Sequence, residues 1–229
     1  MPSPTAPSTR AAVVHDSIRA DIISGALEPG TPLRLAALAA SYDVSMSVVR
    51  EALTRLAEHN LTVLAPNQGF RVMSISRADL VELTMLRTML ETKALALSIE
   101  LGDVPWEAQV VSAHHVLERA AYQRENEPGS TEQWTEAHAA FHDALVGACD
   151  SPRLMTMTRS LRDSSELYRQ RSGFAEASVG RDVAGEHREL MALTLAGKSA
   201  EAQAALVRHI ERTTELVLST PFADGGLEG

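Results

Sequence analysis

Residues 44–53 read Val44-Ser45-Met46-Ser47-Val48-Val49-Arg50-Glu51-Ala52-Leu53. Ala52, Leu53 and Leu56 follow Val48 or Val49 at helical spacing, which predicts an amphipathic helix from about Ser47 to Asn60. Ser47 has the right side chain for its N-cap. Just upstream, Leu35 to Tyr42 is a short Ala- and Leu-rich run that predicts a second helix, separated from the first only by Asp43-Val44-Ser45. Two short helices joined by so tight a break predict a helix-turn-helix, whose second helix enters the DNA major groove N-terminal end first.

The flanks complete that unit. Before it, Arg10 to Gly25 predicts a helix with Val14, Ile18, Ile22 and Ile23 as its apolar stripe, followed by a Glu28-Pro29-Gly30 turn. After it, Leu61 to Leu64 and Phe70 to Ile75 are β-branched-rich runs on either side of Ala65-Pro66-Asn67-Gln68-Gly69. That is strand, turn, strand. Helices followed by one hairpin make a winged helix-turn-helix, assigned to residues 10–75. The expected DNA contacts are Ser45, Met46, Ser47 and Arg50 at the start of the recognition helix, with Arg34 nearby. Gly69 and Arg71 are expected from the wing. Arg50 has the fork for guanine or phosphate, and Gly69 permits close backbone approach.

Residues 77–219 change character and read as all-helical. Six helices are predicted, at about Arg77–Leu101, Val104–Asn126, Thr131–Ala148, Pro152–Ser172, Arg181–Ala196 and Ala200–Leu218. The breaks fall at Gly102, Glu127-Pro128-Gly129, Ser151-Pro152, Gly173 and Gly197.

Composition agrees. A chain of 229 residues with 45% hydrophobic and only 4% aromatic residues suits two small, mostly α domains. The net charge of −9 argues against a nucleic-acid partner for the chain as a whole. Between Arg10 and Arg71, however, the basic and acidic residues balance, so the acidity lies downstream. Cys149 is the only cysteine, which rules out an intrachain disulfide and fits a reducing cytoplasm. Residues 1–9 read as a disordered Pro/Ser/Thr-rich tail, not a signal peptide, and 220–229 as a flexible tail. No run has the length of a membrane span.

Residues 25–72 resemble the GntR superfamily of bacterial regulators. The matching residues are Gly25-x-Leu27-x-Pro29-Gly30, Leu33, Leu38-Ala39, Val44-Ser45, Val49-Arg50-Glu51-Ala52-Leu53, Leu56 and Pro66-Asn67-x-Gly69-Phe70-x-Val72. The resemblance implies operator binding by a symmetric dimer on palindromic double-stranded DNA. The chain departs from the family pattern at Met46, where Arg is usual, at Ser47-Val48, where Thr-Pro is usual, and at Ala36, where close relatives often carry a second Arg.

The second half carries histidines at helical spacing. His138 and His142 share one helix face with Trp134, Phe141, Leu145 and Cys149. His187 aligns with Val183, Leu190, Met191 and Thr194, and His209 with Leu206, Ile210, Thr213 and Leu216. Imidazoles buried together are costly unless something partners them, and a divalent cation does so. A polar core without metal is the alternative.

Residues 77–218 resemble the FCD effector domain of the FadR subfamily, in its six-helix, VanR-type form. The resemblance rests on Arg87-x-x-x-Glu91, His138-x-x-Phe141-His142-x-x-Leu145, Asp150-Ser151-Pro152-x-Leu154, Glu186-His187-x-x-Leu190, Ala202 and His209. It implies a metal site, with zinc or nickel as the expected ion, beside a cavity for small organic acids. His142, His187 and His209 occupy three usual ligand positions, and His138 stands where the family has Asp. Either His138 ligates in its place or it swings away and three ligands remain. Arg87 is the candidate cation for a carboxylate effector, or else it forms a surface pair with Glu91; Arg162 and Arg169 are secondary candidates.

The implied function is transcriptional regulation, with operator affinity modulated by the effector, and not catalysis. His142-Asp143 resembles half of an HD-type phosphohydrolase pair, but the later helices carry His187 and His209 where such an enzyme needs Asp. No His-Glu-x-x-His helix, phosphate loop or nucleophile elbow accompanies it. A regulator with a purely structural metal remains the third reading.

Overall fold

The computed structural model describes residues 9–122 and 130–219. The expected tails, apart from Thr9, and the Glu127-Pro128-Gly129 break lie outside the described residues. The chain forms two compact units that divide between Ser74 and Ile75.

The first unit contains α1 (Arg10–Ile23), β1 (Pro32–Leu33), α2 (Leu35–Ser41), α3 (Met46–Glu58), β2 (Thr62–Ala65) and β3 (Gly69–Val72). Its core is the apolar stripe of α1 against that of α3: Val14, Ile18 and Ile22 meet the side of the helix that carries Val49, Ala52, Leu53 and Leu56. Val49, not Val48, is the first inward residue of α3. The strands pair in the order β1-β3-β2, all antiparallel, with Leu33 opposite Phe70 and Thr62 opposite Val72. β2 thus sits one residue along from its expected bounds, β3 begins one residue early and stops at Val72, not Ile75, and β1 is not among the expected elements. Two residues carry no readable period, and β1 exists only because β3 offers it an edge. Buried Thr62 donates Oγ1 to the Leu53 carbonyl at 2.9 Å, tying the hairpin to α3.

The N-cap of α3 is Ser45, not Ser47. Ser45 is extended (φ −73°, ψ 154°) and its Oγ accepts from the Val48 amide at 3.5 Å, while the Ser47 hydroxyl pairs with that of Ser45 at 2.8 Å. The turn before it passes through Asp43 at φ 50°, which already places Ser45 at the helix mouth.

The second unit contains α4 (Arg77–Leu101), α5 (Val104–Arg119), α6 (Glu132–Leu145), α7 (Pro152–Val179), α8 (Val183–Leu195) and α9 (Ser199–Ser219). Its main core joins Leu95 of α4, Trp106 and Val110 of α5, Phe141 and Leu145 of α6, Leu190 of α8, and Leu206 and Ile210 of α9. Gly102 is required at the α4–α5 corner, because a Cβ there would lie 2.0 Å from the Trp106 ring. That ring donates Nε1 to the Ala144 carbonyl at 2.8 Å and pins α5 to α6.

Expected boundaries are corrected in this unit, two of them by seven residues. α5 stops at Arg119, not Asn126: the Ala121 carbonyl accepts from Thr131 Oγ1 at 2.6 Å and the Tyr122 carbonyl from the Thr131 amide at 3.1 Å. These contacts draw the chain out of helix toward the start of α6. Gly173 is not a break, since α7 runs through it to Val179. One glycine in a helix weakens it by only about 1 kcal/mol relative to alanine, which the packing of α7 on α4 and α9 readily offsets.

Candidate metal centre and nucleic-acid interface

Four imidazoles converge inside the second unit. α6 supplies His138 and His142 one turn apart, α8 supplies His187, and α9 supplies His209. One ring nitrogen from each lies within 4.8 Å of the others. Ring centroids are 4.5 Å apart for His138 and His142, 4.7 Å for His187 and His209, and 5.3 Å for His142 and His209. His142, His187 and His209 are buried, and His138 is partly so. All four expected ligands are therefore brought together, and His138 does not swing away.

The electrostatics keep these rings neutral. Burial first, and then the neighbouring imidazoles, hold His138 and His142 well below the ordinary imidazole pKa; His187 is lowered in the same way. Burial also lowers His209, although the Glu186 carboxylate opposes the shift. Neutral imidazole is the metal-binding form.

Two observations fit a metal. Nε2 of His142 and Nε2 of His187 are buried without a hydrogen-bond partner, an arrangement that costs about 1–3 kcal/mol per group unless something accepts the lone pair. In addition, His209 Nδ1 lies 2.7 Å from Glu186 Oε2, which places the ring proton on Nδ1 and leaves the Nε2 lone pair directed away from the carboxylate. Burial alone would raise the Glu186 carboxyl. Hydrogen bonds from Arg181 and His209 outweigh it and bring that pKa down to about 2, so the carboxylate stays charged. Four nitrogens on one divalent ion at about 2.1 Å span at most about 4.2 Å, so small side-chain adjustments bring this set to bonding distance.

Arg181 has no counterpart among the expected site residues, and Glu186 stands among them only as part of the Glu186-His187-x-x-Leu190 match, without a role of its own. Glu186 adjoins His187 in the chain but serves His209 on the next helix, and adjacency in sequence gives no hint of that. Arg181 precedes α8, which begins at Val183 and not at Arg181 as expected, and reaches Glu186 through Nε at 2.7 Å and Nη2 at 2.6 Å. Trp134 belongs to the apolar stripe of α6, and its ring also stacks on His138 at 4.5 Å and carries the Arg169 guanidinium 4.6 Å above it.

Arg87 pairs with Glu91 at 2.7 Å, as the helical spacing allows, but the pair is buried and not on the surface. Its Nη1 donates to Ser165 Oγ at 3.0 Å. Arg162 approaches the same Glu91 at 3.4 Å and also bonds Asp143. The positive fields of Arg162 and Arg87 add to the lowering of His142, although both guanidiniums are themselves paired with carboxylates. On the side of α8, a cavity of about 300 Å³ is lined by His114, Tyr122, Trp134, Arg181, Val183 and His187, among others.

In the first unit, the outward side of α3 carries Met46, Ser47 and Arg50, all exposed, with Ser45 exposed just before them. The Arg50 guanidinium makes no hydrogen bond or ion pair among the described residues, so neither Glu51 nor Glu58 holds it; only its backbone carbonyl is engaged, by the Thr54 hydroxyl. Arg34 is exposed at the N-cap position of α2. Gly69 sits at φ 80° in the hairpin, a conformation that side-chain-bearing residues rarely adopt, with open space around it. Arg71 differs from the rest: its Nη1 donates to the Gly30 carbonyl at 2.7 Å, which commits the guanidinium to bracing the β1–β3 edge.

Comparison with known proteins agrees with both units. The pattern of the bacterial regulatory proteins of the gntR family matches residues 10–72, and that of the FCD domain matches residues 82–212. The chain is 35% identical over 201 residues to the HTH-type transcriptional regulator BphR of Paraburkholderia xenovorans, covering 87% of this chain and 77% of that one. It is 30% identical over 196 residues to the HTH-type transcriptional repressor GlaR of Escherichia coli, covering 84% and 89%. The solved structure of E. coli McbR/YncC superposes with a TM-score of 0.76 at 23% identity over 92% of this chain and 98% of that one, a likeness of fold. Among the described residues no helix is long and apolar enough to cross a membrane. The chain belongs to the GntR family of helix-turn-helix transcriptional regulators, in the group that carries an FCD domain.

Proposed function

We propose that this regulator acts in the cytoplasm as a homodimer on palindromic operator DNA, and that a small organic carboxylate bound beside a divalent transition metal modulates its operator affinity. The observation that carries the effector half is the convergence of four neutral imidazoles, two of them with orphaned Nε2 atoms and a third oriented by Glu186. His138, His142, His187 and His209 hold the ion, with zinc or nickel favoured by an all-imidazole set. The bound ion supplies a Lewis-acid position for a carboxylate oxygen.

An all-imidazole set leaves the full charge of the ion uncompensated, unlike one that includes a carboxylate ligand. An anionic effector restores the balance. Arg87 and Arg162 act on His142 from pairs that share Glu91, and the cavity beside His187 offers space for the rest of a ligand. The DNA half rests on family membership and on the exposed start of α3, where Ser45, Met46, Ser47 and Arg50 face outward, with Arg34, Gly69 and the braced Arg71 at its flanks. Coupling between the halves is a free-energy difference of about 1–3 kcal/mol and is reciprocal, so operator DNA changes effector affinity by the same factor. Nothing in this scheme calls for turnover, and the chain acts as a regulator and not an enzyme.

The test is elemental analysis of protein made without a histidine tag, beside the His142→Ala/His187→Ala variant. Near-stoichiometric metal in the parent and none in the variant supports the centre; equal, negligible metal in both overturns it. Operator binding is then titrated with metal and a panel of mono-, di- and tricarboxylates. An operator affinity that no acid shifts would reduce the metal to a structural role.

A further inference from the structure

We propose that Met46 sets a thymine preference in the operator, packing on the C5-methyl group of a T·A pair about two base pairs from a guanine read by Arg50. The proposal rests on the reading of α3 as the helix that enters the major groove.

The two sides of α3 differ sharply. Val49, Ala52, Leu53 and Leu56 are fully buried against the unit's own core. Met46, Arg50 and Thr54 recur every four residues on the other side, and Met46 is 56% exposed in the first turn. The polar groups beside it are already committed. Ser45 caps the Val48 amide, the Ser45 and Ser47 hydroxyls bond each other at 2.8 Å, and Thr54 donates its hydroxyl to the Arg50 carbonyl at 2.8 Å. Along this line Arg50 is the strong donor and Met46 is the apolar projection.

The chemistry of the groove then selects the base. In the major groove G, A and C present only hydrogen-bonding groups, whereas T adds a methyl group, the one apolar feature there. A thioether pressed on N7, O6 or an exocyclic amine would strip water from that group without replacing its hydrogen bond. Pressed on the thymine methyl, it removes apolar surface from water on both sides. Four helical residues rise about 6 Å, close to two base steps of about 3.4 Å, which sets the spacing between the two contacts.

The test uses the full chain. The operator is first selected from randomised duplex DNA, and each thymine of the selected site is then replaced in turn by deoxyuridine, which removes only the methyl group. One position per half-site is expected to weaken binding by about fourfold, the effect of one methyl-sized apolar contact. Met46→Ala, at an exposed position outside the core, is expected to bind more weakly and to be indifferent to deoxyuridine at that same position. Met46→Arg is expected to move the selected base from T toward G. The proposal is overturned if no thymine matters more to the parent than to Met46→Ala while Arg50→Ala still loses its guanine preference. A selection that enriches no sequence from the parent overturns the groove reading itself, an outcome distinct from the first.

Discussion

Replacing both His142 and His187 by leucine is expected to stabilise the metal-free protein while abolishing its response to metal. His142 is 1% exposed and His187 2% exposed, and the Nε2 atom of each lacks a partner. An unpaired buried polar atom costs about 1–3 kcal/mol, so the pair destabilises the metal-free unit by about 4 kcal/mol. Fitting two leucines into the space of two imidazoles returns up to about 1.5 kcal/mol of strain at each site, which leaves a net gain of about 1–2 kcal/mol. At an ordinary urea dependence of about 2 kcal/mol per molar, the midpoint rises by about 0.5–1 M. Metal at a hundred times its dissociation constant is expected to stabilise the parent by about 2.7 kcal/mol and the variant not at all. Both tryptophans, Trp106 and Trp134, lie in the second unit, so urea unfolding followed by tryptophan fluorescence reports on this unit alone. Each protein is measured in chelator and in excess zinc. A double-leucine variant that unfolds at lower urea than the parent in chelator would show that the two nitrogens are satisfied in an ordinary polar core. Zinc that stabilises both proteins equally would remove the metal centre altogether.

Other outcomes follow from the same geometry. Glu186→Gln weakens the acceptor that orients His209, and zinc affinity measured by competition with a chromophoric chelator should fall about 10–100-fold, while His209 itself remains. Arg50→Ala should lower operator affinity in fluorescence anisotropy and remove selectivity at one base, with a loss of about 1–3 kcal/mol; an equal loss on random DNA would instead mark Arg50 as a phosphate contact. The pH dependence has a definite sign. His138, His142 and His187 have folded pKa values depressed below the unfolded value of about 6.5, so below that pH the unfolded chain takes up protons that the folded one refuses. Stability in chelator should therefore be level above about pH 6.5 and fall below it, by up to about 1.4 kcal/mol per pH unit for each imidazole. A denaturation midpoint unchanged between pH 7 and pH 5 would contradict the burial of these rings as neutral groups.

Much of the molecule was legible in the chain itself, because its determinants are local. The helix-turn-helix follows from the spacing of Val49, Ala52, Leu53 and Leu56, and their burial needs only a helix and the stripe of α1 to pack against. The four histidines were legible for the same reason, since each lies on the apolar side of its own helix and apolar sides face the core. Where two local rules compete, sequence reads less well. Ser45 and Ser47 both suit an N-cap, and the turn at Asp43 decided between them. Gly173 reads as a break by propensity, but α7 passes through it under tertiary packing.

What only the tertiary structure decided are contacts between elements distant in sequence. β1 is a strand because β3 lies beside it, and α5 ends early because Thr131 captures the carbonyls that follow it. Arg87 pairs with Glu91 at a spacing any reader can count, but whether that pair is exposed or buried depends on α7, which brings Arg162 to the same carboxylate. Glu186 orients His209 across 23 residues of chain, and Trp134, which stacks on His138 one turn further along α6, meets the Arg169 guanidinium only when α6 and α7 are packed. Amphipathic periodicity sets which side of each helix turns inward. Which inward groups then meet is set by how the helices pack against one another, and no single segment contains that information.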